Sequence, residues 1–149
     1  MSLEAKIMEG IKEAMKAHDK TTLESLRAVK SAILLEKTSG AAGQFDTAAE
    51  MKLLQKLVKQ RRESAAIYTE QNRPDLAEAE MAQAAVIERF LPAQLSAQEI
   101  ETEVAAIIAA TGASSPADMG KVMGAASKTL AGKADGKTIA ETVKRLLAK

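Results

Sequence analysis

Apolar residues at helical spacing, interrupted at short intervals by caps, prolines and glycines, run the length of this chain. No window sustains the strict alternation that a half-buried strand requires. The pattern therefore predicts an all-α protein. Ser2 is placed to cap a first helix reaching about His18, with Leu3, Ile7, Ile11, Ala14 and Met15 on one stripe. Asp19-Lys20-Thr21 reads as a turn, and a second helix carries Leu23, Leu26, Ile33 and Leu34. Ser39 to Asp46 reads as a Gly/Ala/Ser loop, the segment expected to move most. Thr47-Ala48-Ala49-Glu50 has capping-box spacing and opens a third helix with Leu54, Leu57, Val58, Ala65 and Tyr68 inward. Asn72-Arg73-Pro74 breaks it, and Pro74 suits the first turn of a fourth helix. That helix is expected to bury Leu76, Ile87, Phe90 and Leu91 and to stop at Leu91-Pro92, because a residue before proline is pushed out of helical geometry.

The remainder reads as three shorter helices. Ser96-Ala97-Gln98-Glu99 is a second capping box, starting a helix with Ile100, Val104, Ile107 and Ile108 that Gly112 ends. Ser115-Pro116-Ala117-Asp118 starts the sixth with a hydroxyl cap, a first-turn proline and an acid near the positive end of the helix dipole. Its expected buried stripe is Met119, Val122, Met123, Ala126 and Leu130, and it ends near Gly132. Asp135 caps a seventh helix with Ile139, Val143, Leu146 and Leu147 inward. The organisation expected is a four-helix N-terminal domain, 1–92, followed by a small three-helix C-terminal domain, 93–149.

Composition excludes several chemistries. The 149 residues contain no cysteine, which removes disulfides, thiolate metal sites and a catalytic thiol. Histidine occurs once, at His18, so neither a triad nor a multi-histidine metal site can be built within the chain. Phe45, Tyr68 and Phe90 are the aromatics, too few for a base-stacking platform. No stretch approaches the ~20 apolar residues that span a bilayer. The opening Met-Ser-Leu-Glu has no basic or apolar leader region. These features predict a cytoplasmic protein with no membrane partner, no DNA partner, no metal and no cofactor.

Formal net charge is +1, but charge is unevenly spread. Residues 96–112 carry three acids and no base, and residues 113–149 carry seven Lys/Arg against three Asp/Glu. Lys52, Lys56 and Lys59 recur at i, i+4, i+7, which suits either a solvated face or a stripe that tracks phosphates. On the sixth helix Lys121 and Lys128 share a face beside Gly120 and Gly124, with Lys133, Lys137, Lys144 and Arg145 in neighbouring turns. Small residues beside lysines admit close approach of a ligand backbone. The competing readings are tight helix packing at the glycines and ordinary solubility at the lysines. Within the first four helices, wheel angles place Arg27, Lys30, Arg61, Glu80 and Gln83 toward apolar arcs. A buried ion-pair network in which Glu80 meets Arg27 or Arg61 is one reading, and an anion pocket is the other. The run Gly132-Lys133-Ala134-Asp135-Gly136-Lys137-Thr138 is not a P-loop. Ala131 stands where that motif needs its first glycine, and the preceding residues are helical.

Asp118-Met119-Gly120-Lys121-Val122-Met123-Gly124, then Gly132-Lys133-Ala134-Asp135-Gly136, together with Phe90-Leu91-Pro92-Ala93-Gln94-Leu95-Ser96, resemble the YqeY-like proteins of the GatB/YqeY family. Leu26-Arg27 and Lys59-Gln60-Arg61-Arg62 fit the same pattern, so the resemblance covers essentially the whole chain. Two positions depart from it: Ala126-Ser127, where a bulkier pair is usual, and Gln83, where an acid is common. The family is grouped with the tail domain of the B subunit of the glutamine-dependent Asp-tRNA/Glu-tRNA amidotransferase. The resemblance implies an all-helical fold and a non-catalytic, tRNA-associated accessory module. Its partner would be tRNA or a tRNA-modifying or aminoacylating enzyme. It also carries the label of a carbon–nitrogen ligase using glutamine as amido donor. The alternatives it leaves open are an accessory subunit of such a ligase and a helical protein-interaction adaptor. This chain has no thiol for glutaminase work, no Gly/Ser-rich amidase signature and no carboxylate spacing that reads as a magnesium site. The residues expected to bind RNA or a partner are Lys121, Lys128, Lys133 and Lys137, with Lys52, Lys56 and Lys59; Arg27, Arg61 and Glu80 are expected to form a structural polar cluster.

Overall fold

A computed structural model describes residues 2–39 and 45–148. The described residues form seven α-helices and one short 3-10 turn, with no strand. They divide into two compact units, Met1–Leu91 and Pro92–Lys149. No helix among the described residues is long and apolar enough to cross a membrane.

The first unit holds α1 (Leu3–Ala17), α2 (Lys20–Thr38), α3 (Thr47–Glu70) and α4 (Pro74–Glu88). Ser2 caps α1 by accepting the Ala5 N–H at 3.1 Å. The helix stops at His18, whose left-handed φ of 54° turns the chain. Asp19 is not mid-turn. It caps α2 directly, accepting the Thr22 N–H at 3.1 Å and its hydroxyl at 2.6 Å. Asp46, not Thr47, caps α3, accepting the Ala49 N–H at 2.9 Å. A carboxylate one residue upstream of the expected hydroxyl serves the same orphan donors. At the far end Asn72 adopts φ 58° and Pro74 begins α4. That helix ends at Glu88, before Leu91-Pro92, and Phe90 and Leu91 pack half-buried on the core from beyond it. Most of the expected Ser39–Asp46 loop lies outside the described residues.

α2 is the hub, since α1, α3 and α4 all pack on it, while α3 lies along α4. Ile7, Leu26, Val29, Leu54 and Ile87 are shut away from solvent. Each large aliphatic side chain buried this way contributes about 1.5–3 kcal/mol. Gly10 lets α1 approach: a Cβ built there would sit 2.7 Å from Leu26 Cδ1. Two expected core residues are not in the core. Met15 is 53% exposed and Leu34 is 63% exposed. The buried stripe of α2 runs through Ser25, Leu26, Val29 and Ile33, so its apolar arc is rotated away from Leu34.

The second unit holds α5 (Ala97–Thr111), the 3-10 turn Pro116–Asp118, α6 (Met119–Thr129) and α7 (Gly136–Leu147). Each helix packs on the other two. Val104, Val122, Ala126, Leu130 and Val143 form its centre, with Ile100, Ile139 and Leu147 closely buried around them. The Ser96 capping box is complete: Ser96 Oγ accepts the Glu99 N–H at 3.2 Å and Glu99 returns to the Ser96 N–H at 2.9 Å. Gly112, at φ 70°, ends α5 in the left-handed region where only glycine is unstrained.

Candidate nucleic-acid interface

The corner between α6 and α7 gathers most of the cationic residues singled out in the second unit. α6 buries Val122 and Ala126 and therefore turns Lys121 and Lys128, seven residues apart, to solvent. Lys128 lies in the last turn of α6, Lys133 in the link and Lys137 in the first turn of α7. Lys121 stands about 10 Å back along α6 from Lys128, at 1.5 Å per residue. All four side chains are exposed, and none forms an ion pair with a described residue. Arg145, in contrast, is engaged with Glu101 at 3.3 Å, which ties α7 to α5.

Local chemistry fixes this corner. Gly132 takes φ 75°, and Asp135 caps α7 by accepting the Lys137 N–H at 3.0 Å and the Thr138 hydroxyl at 3.3 Å. Gln94, which the sequence did not mark by any local signal, is a clasp. Its Nε2 donates to Gly132 O at 2.7 Å and to Pro92 O at 2.9 Å. Beside it the Leu95 N–H donates to Lys133 O at 2.9 Å. Two sequence motifs 38 residues apart thus meet, and together they hold the backbone from which Lys133 projects.

The glycines of α6 settle one of the earlier alternatives. A Cβ at Gly120 or at Gly124 would meet nothing within 4 Å, and neither has a positive φ. They do not permit close helix packing in this structure. Glycine inside a helix costs about 1 kcal/mol relative to alanine, and here no internal contact or turn offsets that cost. The outer face of α6 is left low and backbone-rich beside the exposed ammonium groups of Lys121 and Lys128.

Perturbed carboxylates mark helix ends. Asp118 accepts the backbone N–H groups of Ser114 at 3.0 Å and Ser115 at 3.4 Å, and these bonds hold its pKa below the usual aspartate range. The Ser96 backbone and hydroxyl do the same for Glu99. Thr22 lowers Asp19, and Arg73 lowers Asp75. Among the described residues no group of three or more His, Cys, Asp or Glu is arranged to hold a metal ion.

The first-unit residues are arranged differently from expectation. Arg27 and Lys30 are exposed, and Glu80 is half-buried. Neither arginine is paired with Glu80. Arg61 instead donates Nε–H to Gln83 Oε1 at 3.1 Å and Nη1–H to Leu57 O at 3.2 Å. The rotation of α2 explains Arg27, since its arc lies outside the buried stripe. On α4, Gln83 rather than Glu80 reaches Arg61. An amide thus answers the guanidinium. Lys52, Lys56 and Lys59 are exposed along α3 and unpaired among the described residues, whereas Arg62 pairs with Glu88.

A protein-family model described as Yqey-like protein matches residues 4–147. The chain belongs to the YqeY-like family. No curated protein gives a significant match.

Proposed function

We propose that this protein is a non-catalytic, tRNA-associated accessory module that takes RNA phosphates on the outer face of α6 and the α6–α7 corner. The observation that carries the reading is the placing of exposed Lys121, Lys128, Lys133 and Lys137, none in a direct ion pair with a described residue, beside Gly120 and Gly124, whose outward side is empty. Lysines supply charge without base selectivity, and the missing Cβ atoms let a sugar–phosphate backbone approach the helix closely. Family membership supports the same reading through the tRNA-holding tail domain with which the family is grouped. The lysines of α3 are a second candidate phosphate stripe. A tRNA-modifying or aminoacylating enzyme is the partner class that such a module would serve.

The test is fluorescence anisotropy with labelled tRNA across a salt series. About four phosphate contacts give a log-affinity slope of roughly −3 to −4 against log salt. Lys121→Glu with Lys128→Glu is expected to weaken binding about tenfold and to flatten that slope. Gly124→Ala is expected to weaken binding while stabilising the fold. No tRNA shift at low salt, a flat salt plot, or charge reversal without effect overturns the reading.

A further inference from the structure

The first unit carries a groove that no tRNA reading uses. It lies between α1 and α2, has a volume of about 400 Å³, and is lined by side chains of these two helices alone. Its walls combine Ile7, Met8, Ile33 and Leu34 with Arg27 and Lys30. Leu34 at 63% and Met8 at 45% exposure leave a row of aliphatic surface in water. Lys37 and Glu4, also on its walls, pair with each other. Arg27 and Lys30 form no hydrogen bond or ion pair with a described residue. From Arg27 to Lys37 the α2 wall extends about 15 Å, nearly three helical turns.

We propose that this groove is a docking site for an acidic amphipathic helix of a partner protein. Such a helix presents aliphatic side chains at i, i+3, i+4 and i+7 to a concave apolar strip. Its flanking carboxylates meet Arg27 and Lys30. Met8, unbranched and polarisable, adapts to the incoming side chains. Charge decides against a second copy of this chain. In a two-fold pairing the same patch meets itself, and this one carries Arg27, Lys30 and Lys37 against Glu4 alone, so two net-positive surfaces would be brought together. The aliphatic walls decide against RNA, whose phosphates gain nothing from Met8 and Leu34.

The probe is a pair of designed peptides of about 15 residues, both with leucines at i, i+3, i+4 and i+7, one carrying glutamates and the other lysines elsewhere. The full chain is titrated with each. The glutamate peptide is expected to bind with a Kd on the order of 10–100 µM, and the lysine peptide at least about tenfold more weakly. Leu34→Ser, and separately Arg27→Glu with Lys30→Glu, are each expected to weaken the glutamate peptide about tenfold or more. Leu35→Ser, equally exposed but outside the groove, is expected to change nothing. The proposal is overturned if the glutamate peptide does not bind, if both peptides bind alike, or if Leu34→Ser has no effect. It is equally overturned if Leu34→Ser instead abolishes a concentration-dependent dimer seen by light scattering, or partition onto phosphatidylglycerol vesicles. Leu34→Ser is expected to leave tRNA affinity intact, so this proposal and the tRNA reading fail separately.

Discussion

The two units reach order by different means. The first uses helices of up to 24 residues, and their packing buries a core of mostly Ile, Leu and Val side chains. The second has helices of 11 to 15 residues around a centre rich in valine and alanine. Both units cap helix starts, the first with Ser2, Asp19 and Asp46 and the second with the Ser96 box and Asp135; the second adds the Asp118 bonds to the Ser114 and Ser115 N–H groups, two left-handed glycines and the Gln94 clasp. Long helices gain stability from area, whereas short ones depend more on satisfying their orphan backbone groups. The difference teaches where each unit is vulnerable.

Core truncation gives the largest effect. Leu54→Ala is expected to cost about 2–5 kcal/mol, and Val104→Ala about 2 kcal/mol because fewer methyl groups are lost. Hydrogen exchange of amides in each unit, measured on the full chain, checks both. Equal costs would break the comparison.

The polar contact of the first unit comes next. Gln83→Leu removes an acceptor from Arg61 and is expected to cost about 1 kcal/mol, while Gln83→Glu makes the bond charge-assisted and stabilises. Glu80→Ala is expected to lie within about 0.5 kcal/mol of the parent, since Glu80 does not pair with Arg61. Urea midpoints of the three variants rank these effects, and a large loss at Glu80 would restore the ion-pair arrangement.

The glycines sharpen the contrast further. Gly124→Ala is expected to gain about 0.5–1 kcal/mol, because a methyl enters open space on a helix. Gly10→Ala earns the same helical preference but drives a methyl against buried Leu26 in a packed core, where overpacking costs about 1–3 kcal/mol. Thermal unfolding of the pair is expected to move in opposite directions.

The smallest effect is electrostatic. The Asp118 carboxyl titrates below its unfolded value because it accepts two backbone N–H bonds. Its contribution is therefore fully present above about pH 4 and is lost as pH falls through the lowered folded value. Asp118→Asn is expected to melt earlier at neutral pH, with the gap to the parent closing in acid. A constant gap at every pH would assign the loss to something other than the charge.

These mechanisms also explain what could be read in advance. Ser2, Ser96, Asp135, Gly112 and Pro74 act on neighbours a few residues away, so spacing alone revealed them. Membership of the family and the all-helical class were legible in the same way, from motifs in order. Burial of Met15 and Leu34 was misjudged because an aliphatic residue on the edge of an arc goes in or out according to how its helix is rotated on its neighbours. That rotation is set by α2 meeting α1, α3 and α4 together, and by Gly10 against Leu26. The Arg61 partner was missed for the same reason: Gln83 and Glu80 are nearly equivalent on a wheel, and only the seating of α3 on α4 chooses between them. Gln94 stands within a recognisable motif, but its role as a clasp has no local signal because its acceptors lie 2 and 38 residues away in irregular backbone.

The Gln94 clasp bears on how the polypeptide is made. Synthesis delivers α5 well before Gly132 and Lys133 exist, so the nascent second unit emerges with its anchor points still missing. Closing a loop of this size costs chain entropy that grows only slowly with length, and the return comes when Gly132 and Lys133 arrive. Emergence of Gly132 and Lys133, rather than of α5, is then the moment at which the clasp can close. A transcript cut short ahead of Gly132 yields a chain whose Gln94 amide finds water in place of its carbonyl.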